Sequence, residues 1–209
     1  MKILFVCTGN TCRSPMAEGL LKKHAPHVQV KSAGIFAVDS SQANDHAITV
    51  MKEKDIHIGK HRSQPVTNEL LHWADLILTM TTQHKQSLMM EFPNYSDKYY
   101  TLKEYVNVAD ISIKEDLKKA YADYEEKRSK IIQKKGHQLD QKKLQDLIEQ
   151  QLQEEREHIL TLEERLWHLD MNISDPFGGD LQTYQETANE LEESIIRLIH
   201  KINRKEKNT

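Results

Sequence analysis

Cysteine is nearly absent: Cys7 and Cys12 are the only two in the chain, and they lie five residues apart. So close a pair makes a poor structural staple, which argues against a disulfide-built scaffold and fits a reducing compartment where thiols do chemistry. No run of about 20 apolar residues occurs, so the sequence offers no membrane-spanning helix. Residues 1–6 are too short for the core of a secretion signal, and polar loop residues follow at once. Neither sign of charge dominates, since 29 Lys and Arg against 32 Asp and Glu leave a formal net charge of -3. That balance gives no long-range field for nucleic acid or an anionic membrane surface. The 11 histidines show no metal-ligand spacing beside cysteines or carboxylates, so no metal and no cofactor are expected, and the histidines read as structural or solvated. The expectation is a cytoplasmic protein of one domain, with room at 209 residues for an appendage.

What is present alternates. Residues 2–6 form a short apolar run that enters a loop at Cys7-Thr-Gly-Asn, as a buried strand does. From Ser14-Pro15 the pattern turns helical, with Met16, Leu20 and Leu21 on one face. Strands are expected near 28–33, 75–80 and 98–102, and helices near 42–54 (with Ile48 and Met51 inward), 68–73 and 83–91. Strands alternating with helices predict an α/β fold, a parallel sheet with helices on both faces.

The alternation then stops. Between 111 and 172 there is no proline and one glycine, Gly136, and Glu, Lys, Gln and Leu dominate. Leu152, Ile159 and Leu166 are seven apart, and Ile148, Leu162 and Leu169 occupy the other seam position, with a flaw at Glu155. Upstream, Leu117, Tyr121, Tyr124 and Ile131 continue a helical stripe. The pattern predicts an antiparallel, coiled-coil-like helical hairpin at 111–173, inserted in a sheet domain made of 1–110 and 174–209. Its Lys and Glu runs read as a solvated face, while its position before residue 175 suggests a lid or an arm for protein contact. A last amphipathic helix is expected over 181–202, ending in a frayed, charged tail. Trp73 and Trp167 read as packing residues.

The segment Cys7-Thr8-Gly9-Asn10-Thr11-Cys12-Arg13-Ser14 joins a strand end to a helix start, where backbone N–H groups and the helix dipole favour an anion. Arg13 offers a planar fork for two phosphate oxygens. The same positive environment favours a sulfur anion on Cys7, to which Ser14 can donate a hydrogen bond. Gly9 would let the loop curl, and Asn10 tolerates left-handed backbone angles. Cys12 stays open among packing, a second thiolate, and a partner that traps oxidised Cys7. On residues alone, Asp175-Pro176 reads as a turn.

These motifs resemble the low-molecular-weight protein tyrosine phosphatase family over 1–108 and from 174 to the C-terminal helix. The matching stretches are residues 6–18 for the phosphate loop and its helix, Ser32-Ala33-Gly34 for the second strand end, and Asp175-Pro176 for an acid-bearing loop. The resemblance implies a four-stranded parallel sheet in a three-layer sandwich, a phosphocysteine on Cys7, phosphate held by Arg13, and Asp175 as general acid. It implies substrate contacts from Thr8, Gly9, Asn10, Thr11, Cys12, Ser14 and Phe177, and phosphorylated proteins as substrates. Thr11, where tyrosine-directed members carry Ile or Leu, and Phe177-Gly178-Gly179, where they carry two aromatics, are similar to the family's bacterial protein-arginine phosphatases. So are Met80-Thr-Thr-Gln-His-Lys85 and Thr101-Leu-Lys-Glu-Tyr-Val106. A small polar side chain at Thr11 can accept a guanidinium hydrogen bond where Ile would leave the donor unpaired. Phosphotyrosine remains the alternative substrate. Arsenate reduction is disfavoured, because no cysteine lies beyond Cys12 to relay electrons. A partner-binding module working through the hairpin is the reading from a different class.

Overall fold

The computed structural model of the chain describes residues 1–167 and 170–206. It divides into two compact units, one of Met1–Val106 with the chain from Met171 onward, the other of Asn107–Asp170. In the first unit, β1 (Lys2–Cys7), β2 (Gln29–Gly34), β3 (Leu76–Thr79) and β4 (Tyr99–Thr101) form one parallel sheet in the order β2-β1-β3-β4. The register pairs Val6 with both Ala33 and Thr79, which makes β1 a central strand. Ile3 and Phe5 enter one core and Leu4 and Val6 the other, all four fully buried, as the two-residue period of a strand requires. Each such side chain contributes about 1.5–3 kcal/mol when buried. A strand covered on both faces therefore reads as an unbroken apolar run.

The helices of this unit before the interruption are α1 (Arg13–His24), α2 (Asp45–Glu53), α3 (Asn68–Trp73), α4 (Thr82–Glu91) and α5 (Leu102–Val106). The second unit holds α6 (Val108–Lys135), α7 (Gln141–Gln151) and α8 (Gln153–Trp167), and α9 (Leu181–Glu206) returns to the first. Residues of α1, α2, α5 and α9 line the core on the Ile3 face, and those of α3 and α4 line the core on the Leu4 face. This is the α/β three-layer arrangement with a four-stranded parallel sheet. No helix among the described residues is long and apolar enough to cross a membrane.

Several boundaries differ from the sequence reading for local reasons. The second helix begins at Asp45 rather than 42, because Gln42 bridges to Arg62 and Asn44 caps the helix by accepting from His46 N. The last strand is confined to three residues by a 3-10 segment, Pro93–Lys98, before it and by α5, which was not anticipated, after it. The final helix runs four residues past 202 to Glu206, so the expected fraying can concern only residues outside those described. Trp73 packs on the second core beneath Lys31, whose ammonium lies 4.6 Å from its ring centre. The side chain of Trp167 falls outside the described residues.

In the second unit α6 packs along α8, and the pairs Tyr121–Glu163 and Lys127–Glu155 run in opposite sequence directions, as antiparallel helices require. Ile148, Leu152, Ile159 and Leu162 are buried and Leu166 is half-buried, as the seam predicts, whereas Leu169 lies outside the described residues. Two details are corrected. The return arm is two helices, since Leu152 takes non-helical angles (φ -115, ψ 23), while Glu155, the polar residue in the seam, lies inside α8 and pairs with Lys127. Tyr121 is exposed, its hydroxyl 2.6 Å from Glu163. A large polar-tipped side chain can leave an apolar stripe when a surface acceptor is within reach.

Candidate active site

Residues 8–12 connect the carboxyl end of β1 to α1, at the sheet edge where open α/β folds place ligands. The loop's shape follows from where its carbonyls go. Cys7 O accepts from Ile35 N, Thr8 O from Phe36 N and Thr11 O from Asn44 N, at 3.0, 2.9 and 2.9 Å. Asn10 O accepts from His61 Nε2 at 2.9 Å, so that nitrogen carries the proton, and Cys12 O accepts from Met16 N. In a trans peptide the N–H points opposite to its C=O, so tying these carbonyls to outside donors leaves the N–H groups of the same peptides pointing the other way. From the remaining peptide, Asn10 N donates to Cys7 Sγ at 3.3 Å. α1 adds to this: Asn44, Thr67 and Thr81 cap α2, α3 and α4 with side-chain acceptors, but α1 has no side-chain cap at Cys12. Its first amides keep their donors available to an anion.

Asn10 is the residue that curls the loop, with φ 55 and no exposed surface. Its side chain donates to Ser14 Oγ and Ser32 Oγ, both at 2.9 Å, and accepts from Gln64 N at 3.0 Å. Ser32 Oγ passes its own proton to Glu18 Oε2 at 2.5 Å. The role expected of Gly9 is corrected: a Cβ there would meet only Thr11 Oγ1, at 3.6 Å, an ordinary contact. The close approach is at Gly34, where a Cβ would lie 2.6 Å from Thr8 O and 2.8 Å from Asn10 N.

Around this backbone the expected residues fall into three groups. Cys7 Sγ lies 3.0 Å from Ser14 Oγ. Ser14 accepts from Asn10, and its alternative acceptor, Ala33 O, is 3.5 Å away, so when Cys7 is a thiolate the nearer partner for the Ser14 proton is the sulfur. Arg13, almost fully buried, extends Nη2 to Asp175 Oδ2 at 2.7 Å and to Thr8 Oγ1 at 3.4 Å. Asp175 is half-exposed, and its Oδ1 accepts from Phe177 N at 3.2 Å, so the turn and the approach to Arg13 coexist in one carboxylate. Its loop is anchored by Ile173 N on Met80 O and by Ser174 on Glu190, while the cap of α9 is Asp180. Phe177 projects from that loop with 79% of its surface exposed. In the third group, Thr11 is half-buried beside Cys12, with Oγ1 and Sγ 3.6 Å apart, and Cys12 Sγ lies 3.3 Å from Tyr184 OH.

Burial pushes the Cys12 thiol up, against smaller opposing effects from its hydrogen bonds to Tyr184 and Thr11. Cys12 is thus held as a neutral thiol, which disfavours the second-thiolate reading. Burial likewise pushes the Tyr184 hydroxyl up.

Sequence reading missed four contributors. His84 places Nε2 2.9 Å from Thr8 Oγ1 and Nδ1 2.8 Å from Thr81 Oγ1. Burial, then the Arg13 charge, pushes its imidazole down to about 4. His61, Glu18 and Tyr184 join it around the loop. Glu18 and His84 lie inside stretches 6–18 and 80–85, which carry the resemblance, although neither was singled out there. His61 and Tyr184 have no local signal, because each comes from a separate segment and meets the loop only through the fold.

Strand, amide-lined loop, cysteine and buried arginine together define a cysteine-dependent phosphatase. Comparison with known proteins makes this specific. The profile of the family "Low molecular weight phosphotyrosine protein phosphatase" matches residues 2–147 and 137–208, and the chain belongs to that family. The chain is 53% identical to a protein-arginine-phosphatase of Bacillus subtilis (strain 168) over 110 residues, which are 51% of this chain and 73% of that protein. It is 40% identical to the low molecular weight protein-tyrosine-phosphatase PtpB of Staphylococcus aureus over 109 residues, 52% of this chain and 76% of that protein. Among solved structures, the YwlE arginine phosphatase from Geobacillus stearothermophilus superimposes with a TM-score of 0.67 at 34% identity, covering 99% of this chain and 96% of that one. A cysteine-to-serine mutant of a YwlE arginine phosphatase, with a phosphorylated active site serine, gives 0.66 at 34% identity, covering 97% and 96%.

Proposed function

We propose that the protein hydrolyses phosphoarginine in proteins through a phosphocysteine intermediate on Cys7. The observation that carries the reading is the sulfur of Cys7, 3.0 Å from Ser14 Oγ and accepting from Asn10 N at 3.3 Å, in the loop that leads into the buried Arg13. The Cys7 thiolate attacks phosphorus in line, the S–P bond forms and the P–N bond breaks. Loop amides of residues 8–12 and Arg13 stabilise charge on the three equatorial oxygens. Asp175 gives its proton to the leaving guanidine nitrogen, then takes one from the water that attacks phosphorus and returns the electron pair to sulfur. Ser14 assists that departure by donating to the sulfur.

Substrate contacts are assigned to Thr8, Gly9, Asn10, Thr11, Cys12, Ser14 and Phe177. For Gly9, Asn10 and Cys12 these are contacts of the backbone, since the Asn10 and Cys12 side chains are engaged inside the fold. Preference for arginine rests on Thr11, whose hydroxyl can accept from a guanidinium, on Phe177, whose exposed ring can flank one, and on the likeness to proteins named arginine phosphatases. Asp175 already pairs with a guanidinium, that of Arg13, at 2.7 Å. Thr11→Ile tests the assignment through the ratio of kcat/KM for phosphoarginine to that for phosphotyrosyl peptide. We expect wild type to favour phosphoarginine and the ratio to fall by about tenfold or more, the value of one buried hydrogen bond lost. A ratio that favours phosphotyrosine in wild type, or one untouched by Thr11→Ile, overturns the specificity argument.

The same reading takes 1–110 with 174–209 as the phosphatase domain and 111–173 as a coiled-coil-like insertion that contacts protein substrates. It places the enzyme in the cytoplasm, where two free buried thiols are kept reduced.

A further inference from the structure

His84 stands outside the assigned machinery yet meets it directly. It is buried at the start of α4, and its ring spans two threonines: Thr81, which caps that helix, and Thr8, in the phosphate loop. Thr81 Oγ1 accepts the His84 backbone N–H, at 3.2 Å, which leaves its own proton free to donate to the ring at Nδ1, and we take that tautomer. The proton of a neutral imidazole then sits on Nε2, and Nε2–H donates to Thr8 Oγ1. Arg13 Nη2 donates to the same oxygen. In that tautomer Thr8 Oγ1 receives two donors, and its own hydroxyl proton is left to point away from both.

We propose that His84 is a positioning residue for phosphate binding: through Thr8 it fixes the guanidinium of Arg13 and turns the Thr8 hydroxyl into an additional donor to a phosphoryl oxygen. The proposal rests on the reading of Arg13 as the phosphate-binding residue. It explains why a buried imidazole lies between a helix cap and the loop, where a small apolar side chain would fill space at no cost in desolvation. It also agrees with the depressed basicity of the ring, since a doubly protonated imidazole would no longer accept from Thr81 and would set a second cation beside Arg13.

The two ring nitrogens can be tested separately. Gln places an amide nitrogen near the position of Nε2, and Asn places a polar atom near that of Nδ1. His84→Gln therefore keeps the Thr8 contact, whereas His84→Asn keeps only the Thr81 contact. The readout is the inhibition constant of inorganic phosphate, which reports only folded enzyme and does not need turnover to be fast. His84→Asn is expected to raise it by about tenfold, and His84→Gln to recover most of that loss. Thr8→Val is expected to raise it similarly and to make His84→Asn nearly silent in the double variant. Should His84→Asn not fold, an inhibition constant unchanged by Thr8→Val overturns the proposal, because the role of His84 acts through the Thr8 hydroxyl. An unchanged constant in His84→Asn, equal effects of Asn and Gln, or additive effects with Thr8→Val overturn the proposal. Arg13→Ala is the control: if it leaves phosphate inhibition intact, the phosphate-site reading itself fails, and if it abolishes inhibition while His84→Asn does not, only the positioning role does.

Discussion

Asn10→Ala concentrates the loop's physics in one substitution. The side chain makes three hydrogen bonds of 2.9–3.0 Å in a site without solvent exposure, to Ser14, Ser32 and Gln64 N. Losing three neutral bonds costs about 3 kcal/mol in total. Alanine must also hold a φ of 55, which adds about 1 kcal/mol relative to a residue at ease there. The expected loss is thus about 4 kcal/mol, a large share of the roughly 5–15 kcal/mol typical of a domain. Asn10→Gly removes the same bonds without the backbone strain, so it should be about 1 kcal/mol more stable than Asn10→Ala. The assay is urea unfolding followed by tryptophan fluorescence in a Trp167→Phe background, so that Trp73 alone reports on the unit that contains the loop. A loss under about 1.5 kcal/mol for Ala, or equal stability of Ala and Gly, would refute the assignment of Asn10 as the residue that shapes the loop.

Four other outcomes are expected. Gly34→Ala should lower kcat/KM by more than tenfold even where the protein stays folded, because its Cβ would press on Thr8 O and Asn10 N and the loop must move. In a Cys7→Ser background, Cys12 should resist iodoacetamide until the pH passes its ordinary value of 9.0, and labelling near neutrality followed by mass spectrometry would contradict its description as a buried neutral thiol. His84 binds its proton less readily in the fold, at about 4 against an ordinary 6.5, so between these values the unfolded chain holds more protons; stability should be full above 6.5 and decline as pH falls toward 4, and thermal unfolding of His84→Gln should lack that part of the slope. Removing the second unit, residues 107–170, should leave turnover of a small phosphoarginine substrate nearly intact but reduce turnover of whole phosphoproteins, and equal rates on both would dispose of the docking role.

The sheet was legible in the sequence because β1 and β3 are apolar on both faces, and that alone implies a parallel, covered strand. Cys7, Arg13 and Ser14 were legible because a strand, a short polar loop and a helix lie consecutively and their geometry is local. Asp175 was not legible on its own residues, where Asp-Pro is an ordinary turn; a resemblance was needed to single it out, and it does make the turn as well as reaching Arg13. His61 and Tyr184 were invisible for a different reason. They come from chain segments 51 and 172 residues away from their loop partners, and nothing in their neighbourhoods marks a side chain that will be buried against a loop. His84, by contrast, lies in the quoted stretch 80–85, but its contact with Thr8, 76 residues away, was not legible there. Gly9 misled because a glycine in a loop suggests a positive φ, whereas the curl is taken by Asn10, which has a side chain able to brace it.

The manner in which the loop is held bears on how its chemistry can diverge. Position 11 is fastened through its carbonyl to Asn44 N, so the anchor belongs to the peptide and not to the side chain. On the proposed reading, exchanging the residue at that position would change which leaving group is accepted while the loop backbone stays where it is. A scaffold wired in this way separates recognition of the departing partner from handling of the phosphoryl group, and a lineage can shift its targets by point substitution without rebuilding its catalyst.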